Sequence, residues 1–120
     1  MKVWWFCVAL YALLLAAVDA HAQAFKGNPE KGRAVYESHC LRCHGKDLDG
    51  KGPEGTSLSV PPENFRAPYS RIKSESELRM TIRRGRSLTA MHRWEDELRE
   101  VQISDVIAYI RSVIPQEEHP

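Results

Sequence analysis

Apolar residues in this chain fall into one continuous run and three helical stripes. Val3 to Val18 is almost wholly apolar, preceded by Lys2 and closed by Asp19. After a polar interval, Asn28-Pro29-Glu30 marks a helix start. Asn28 can cap, Pro29 suits the first helical position, and Glu30 favours the positive end of the dipole. The helix is predicted to run through Gly32, Tyr36 and His39, with Gly32 and Tyr36 four apart on one face. A mid-helix glycine costs about 1 kcal/mol relative to alanine, so Gly32 is expected to admit close approach of another helix. Residues 45–62, including Asp49-Gly50-Lys51-Gly52-Pro53, have no helical or strand period and read as loop. Ser74-Glu75-Ser76-Glu77 is a capping box opening a short helix, with Leu78 and Ile82 on its apolar face and Gly85 as its stop. A loop from Arg86 to about Asp96 precedes the last stripe, Val101, Ile103, Val106, Ile107, Ile110 and Ile114, which Pro115 ends. No segment reads as a strand, so the expected class is all-α.

The apolar start has the form of a secretory signal, with A-x-A cleavage sites at Ala20-His21-Ala22 and Ala22-Gln23-Ala24. Residues 1–22 are assigned to it, with cleavage uncertain by about two residues. The run is shorter than the ~20 residues a spanning helix wants; the alternative is a retained membrane anchor. Residues 23–120 then form one small domain of roughly a hundred residues. A chain of that size buries a limited core, and a large apolar cofactor would supply much of its interior. The formal net charge of +1 gives no basic field for nucleic acid. Export implies an oxidising, periplasmic setting, in which a bare Cys40–Cys43 pair could close a disulfide. Cys7 lies in the segment expected to be removed and reads as apolar filler.

Cys40-Leu41-Arg42-Cys43-His44 carries the chemistry. Two thiols on one helical turn can add across the two vinyl groups of one haem, and the next histidine is then held under the iron as an axial ligand. A zinc site would need a second pair of ligands, and none follows. A thioredoxin-like pair would want a surrounding βαβ pattern, which is absent. With one such motif and no internal repeat, one haem c is expected, with Cys40 and Cys43 as thioether attachments and His44 as proximal ligand. Met91, in the loop before the last helix, is the expected distal ligand, a soft thioether that favours ferrous iron. His92 beside it is the alternative. Met80 reads as a half-buried packing residue, His39 is on the attachment helix and His119 is in a polar tail. Trp94 is expected to pack on the porphyrin or close its edge. Pro53 is a candidate acceptor, its carbonyl fixing the His44 ring. The long loop is expected to wrap the haem edge.

These residues together resemble a class I c-type cytochrome over nearly the whole mature chain. The likeness rests on the attachment motif, the Gly32/Tyr36 helix before it, Met91 and Trp94 after the midpoint, and Val106-Ile107-Ala108-Tyr109-Ile110-Arg111 at the close. Asp49-Gly50-Lys51-Gly52-Pro53 and Pro61-Pro62-Glu63-Asn64-Phe65 are similar to single-haem bacterial cytochromes and cytochrome domains linked to respiratory chains. The resemblance implies a small cytochrome c fold, three to four helices around one haem, in which Gly32 and Tyr36 meet Tyr109. Relatives usually carry proline after the ligand methionine, where this chain has His92. They often cap the last helix with Ser or Thr, where it has Arg99.

The expected function is one-electron transfer in the periplasm between redox proteins of a respiratory chain or a periplasmic dehydrogenase, without bond chemistry. Alternatives are the haem subunit of a larger respiratory oxidoreductase, or an open-site haem enzyme or gas sensor. A membrane would be a partner only if the signal segment is retained. Arg83, Arg84 and Arg86 could pair with haem propionates or an acidic partner, or form a solvated charged face. Glu95, Asp96, Glu97 and Glu100 would balance them locally.

Overall fold

Five helical segments follow one another in the computed structural model, which describes residues 26–117. The expected signal segment, with Cys7, and His119 lie outside the described residues. The segments are α1 (Pro29–His39), α2 (Leu41–His44), α3 (Pro68–Arg71), α4 (Glu75–Arg84) and α5 (Glu100–Val113), with a 3-10 turn at Gly55–Ser57. Among the described residues there is no strand. The all-α expectation holds, as three helices and two single turns.

α1 starts as its sequence requires. The Asn28 side chain accepts from Lys31 N at 3.0 Å, and Pro29 opens the first turn. It ends at His39, as far as its sequence predicts, and the chain passes through Cys40 into α2. α4 has its capping box: Ser74 N donates to Glu77 Oε2 at 2.7 Å, and Glu77 N to Ser74 Oγ at 3.2 Å. Gly85 ends it at φ 67°, a left-handed conformation open to glycine. At α5, Arg99 lacks a capping oxygen, and the Gln102 side chain does the reciprocal work by accepting from Arg99 N at 3.0 Å.

The central contact is the crossing of α1 and α5. A Cβ on Gly32 would lie 1.8 Å from Asp105 O and 2.9 Å from Tyr109 Cβ, so only glycine permits this approach. One turn along, Tyr36 packs on Tyr109 with ring centroids 5.4 Å apart. Asp105 also accepts from Asn28 N at 2.7 Å, tying the entrance of α1 to α5. Ile103, Val106, Ile107, Ile110 and Ile114 form the buried stripe, joined by Val35, Leu48, Leu78 and Leu98. Val101, expected in the same stripe, is half exposed because it falls on the other side of the helix. No helix among the described residues is long and apolar enough to cross a membrane.

Candidate cofactor site

α2 is one turn, too short to persist by itself, and the chain supports it from two directions. Tyr36, on α1, donates its hydroxyl to Gly45 O at 2.7 Å. The glycine-rich loop returns across the carbonyl end. Glu54 N donates to Arg42 O at 2.8 Å, Gly52 N to Cys43 O at 3.0 Å, and Gly50 N to His44 O at 2.9 Å. With Gly45 N on Leu41 O at 2.8 Å, all four open carbonyls are satisfied. Glycine is needed for that approach: a Cβ would lie 2.4 Å from Arg42 O at Gly52 and 2.1 Å from Cys43 O at Gly55. The first half of the loop therefore wraps the attachment turn and reaches the cavity wall only at Glu54, while its later part, from Leu58, lines the cavity more extensively.

His44 is buried, stacked on Phe65 with ring centroids 5.0 Å apart. Its Nδ1 lies 3.3 Å from Glu63 O. The expected Pro53 acceptor is thus corrected to Glu63. Pro53 is exposed, carried on the loop that covers the far side of α2, while the chain comes back to the imidazole ten residues later. With Nδ1–H donating to that carbonyl, Nε2 keeps its lone pair for a metal. Burial pushes the His44 pKa below its ordinary value, opposed by the bond to the Glu63 carbonyl and by the Glu63 charge. The neutral, ligating form is favoured. Burial, with the neighbouring Cys43, pushes the Cys40 thiol up to about 12. Both cysteines are free.

Met91 is delivered by the turn after α4. Arg86 N donates to Met91 O at 2.8 Å, Met91 N to Thr89 Oγ1 at 3.1 Å, and Thr89 Oγ1 to Arg86 O at 2.8 Å. Trp94 N donates to Ile82 O at 3.1 Å, which seats the far end of the turn on α4. The Trp94 ring meets His39 edge-on at 5.3 Å and His92 at 4.1 Å. His92 has other commitments: Nε2 is 3.1 Å from Glu97 Oε1, and the side chain is 52% exposed. Met80, expected to be half-buried packing, is 45% exposed at the cavity wall.

A cavity of about 830 Å³ gathers these groups. Cys40, Cys43, His44, Phe65, Met91, His92 and Trp94 all line it, and Pro53 does not. Its size lies within the range of cofactor sites. Two thiols one turn apart, an imidazole with a free ring nitrogen and a thioether on the same cavity are the donor set of a haem c, and the residues fit that group. The basic cluster is partly neutralised in place. Arg83 pairs with Glu100 at 3.0 Å and Glu95 at 3.3 Å, and Arg86 with Glu63 at 3.5 Å. Sequence reasoning missed Glu63 and the role of Phe65. A carbonyl acceptor carries no side-chain signature, and Phe65 read only as part of a proline-rich segment.

Comparison with known proteins agrees with this geometry. The family described as cytochrome C oxidase, cbb3-type, subunit III matches residues 27–110. The chain is 28% identical over 106 residues to the Cbb3-type cytochrome c oxidase subunit CcoP of Azospirillum brasilense, covering 88% of this chain and 34% of that protein. It is 32% identical over 106 residues to the dihydro-heme d1 dehydrogenase of Pseudomonas aeruginosa, covering 88% of this chain and 18% of that one. The chain thus spans about a third or less of the length of these relatives. A solved structure, the reducing HAO-like protein complex of Kuenenia stuttgartiensis, superposes with a TM-score of 0.64 at 25% identity, over 79% of this chain and 48% of that one. On the match over residues 27–110 and the small all-α fold, the chain belongs to the class I c-type cytochromes, in the family described as cytochrome C oxidase, cbb3-type, subunit III.

Proposed function

We propose that the chain is a one-electron carrier, with a single haem c attached through Cys40 and Cys43 and held axially by His44 and Met91. The observation that carries this reading is the convergence of the attachment turn and the Met91 turn on one cavity. When bound, the haem supplies a reversible one-electron couple. The protein's part is to set and protect it. The Glu63 carbonyl orients the His44 ring and raises its basicity. Met91 offers a neutral sulfur, which favours the ferrous state. Phe65 and Trp94 exclude water from the cavity walls. His92, engaged with Glu97 and Trp94, supports the assignment of the distal position to Met91. The site is assembled after export on residues 1–22, in the periplasm.

Visible spectra of the ferric and ferrous protein test this, together with Met91→Ala and His92→Ala. The sulfur-to-iron charge-transfer band is expected in the unmodified protein and in His92→Ala, and lost in Met91→Ala. Persistence of the band in Met91→Ala refutes the axial assignment. Haem that leaves the polypeptide on denaturation refutes covalent attachment.

A second reading is favoured by the length of the relatives: the same electron chemistry, in a haem subunit of a larger respiratory oxidoreductase. Native size decides between them. A monomeric species supports the free carrier, and a stable complex with a second redox protein supports the subunit.

A further inference from the structure

Glu63 stands between the two loops that approach the cavity. Its backbone carbonyl takes the His44 Nδ1 proton. Its carboxylate, only 15% exposed, lies 2.7 Å from Lys73 Nζ and 3.5 Å from Arg86 Nη1. Arg86 is the residue that closes the Met91 turn, through its amide on Met91 O and its carbonyl under Thr89 Oγ1. A continuous chain of polar contacts therefore runs from His44 through Glu63 and Arg86 to Met91. Glu63, Lys73 and Arg86 also border a second, more polar cavity of about 670 Å³, with Asp49, Lys51 and Tyr69. Lys73 is steadied by the Tyr69 ring, 5.4 Å from its centroid.

We propose that Glu63 is a positioning residue that links the histidine side of the site to the Met91 turn, so that the Glu63–Arg86 pair resists withdrawal of Met91 from the iron. This rests on the reading of Met91 as distal ligand. The asymmetry of the pair gives the sign. Arg86 is 58% exposed and can return to water when the carboxylate is removed, whereas the mostly buried carboxylate keeps Lys73. What is lost with either partner is the tether on the turn. A partly screened pair of this kind alters an opening equilibrium on the order of twofold to fivefold.

The test uses the haem-loaded full chain in the ferric state at one pH. Added imidazole competes with Met91, and its apparent affinity reports the fraction of molecules with the turn open. Glu63→Gln keeps the backbone carbonyl, and Arg86→Gln keeps the amide. Each is expected to raise apparent imidazole affinity roughly twofold to fivefold while retaining the charge-transfer band without imidazole. The double variant should match the stronger single one, and Arg86→Lys should recover part of the effect. Circular dichroism confirms that each variant is folded. Unchanged affinity in either single variant, or additive effects in the double, overturns the proposal. A missing charge-transfer band in the unmodified protein overturns the ligand reading, and this inference with it, before any variant is made.

Discussion

Gly32→Ala measures how much of the fold depends on one close approach. In an exposed helix the change would stabilise by about 1 kcal/mol. Here the new methyl would lie 1.8 Å from Asp105 O and 2.4 Å from Asp105 C, both backbone atoms that cannot step aside. α1 must withdraw from α5 by more than about 1 Å to restore van der Waals separation. That motion stretches the Asn28 N–Asp105 Oδ1 bond from 2.7 Å, an interaction with a charged acceptor worth about 1.5–3 kcal/mol. It also loosens the Tyr36–Tyr109 pair, worth about 0.5–1.5 kcal/mol. Loss of both, less the helical gain, leaves a net destabilisation of about 1–3 kcal/mol. For a domain of this size that is a fall in Tm of roughly 5–20 °C. Chemical and thermal unfolding of the haem-loaded protein, followed by far-UV circular dichroism, gives the number. An unchanged or raised stability would mean that the crossing yields without cost, and the packing argument would be wrong.

Other outcomes follow from the supports of the attachment turn. Gly52→Ala should cost about 2–4 kcal/mol in the same unfolding assay, because its methyl displaces the loop from Arg42 O and weakens two capping hydrogen bonds. Tyr36→Phe should cost about 1–3 kcal/mol at neutral pH by leaving the buried Gly45 carbonyl without its donor. Burial holds the Tyr36 phenol above its ordinary value of 10.0, so the folded chain keeps a proton that the unfolded chain releases. Its contribution is complete below that pH and is lost as pH rises above it. The alkaline decline should be shallower in Tyr36→Phe by up to about 1.4 kcal/mol per pH unit. Ser74→Ala should cost about 0.5–2 kcal/mol by removing the α4 cap, with the charge-transfer band intact, since Ser74 borders neither ligand turn.

The helices were legible because their signals are local. Asn28-Pro29, the Ser74–Glu77 box and the Gly85 stop each specify a boundary within a few residues, and the crossing at Gly32 followed from resemblance. α3 was missed because a single turn opened by Pro68 has no room for a period. Within the site, Cys40, Cys43, His44 and Met91 could be placed on one cavity because side-chain chemistry marks them. The acceptor for His44 could not, since any backbone carbonyl would serve and tertiary folding alone selects Glu63 over Pro53. Local balance of the basic cluster by Glu95 and Glu100 was legible from their nearness in the chain, whereas the pairing of Arg86 with Glu63 depends on folding.

The returning loop leaves the backbone of residues 50–55 no slack, and this bears on how the chain can change in length. An insertion there would lift several amides off their carbonyls together, and an added residue has nowhere to bulge without striking Arg42 or Cys43. Ser59, by contrast, is exposed, follows the 3-10 turn without entering another element, and does not line the cavity that Leu58 and Val60 on either side of it border. Extra residues, or a grafted peptide, would be accommodated at that point for little more than the entropy of a longer closure.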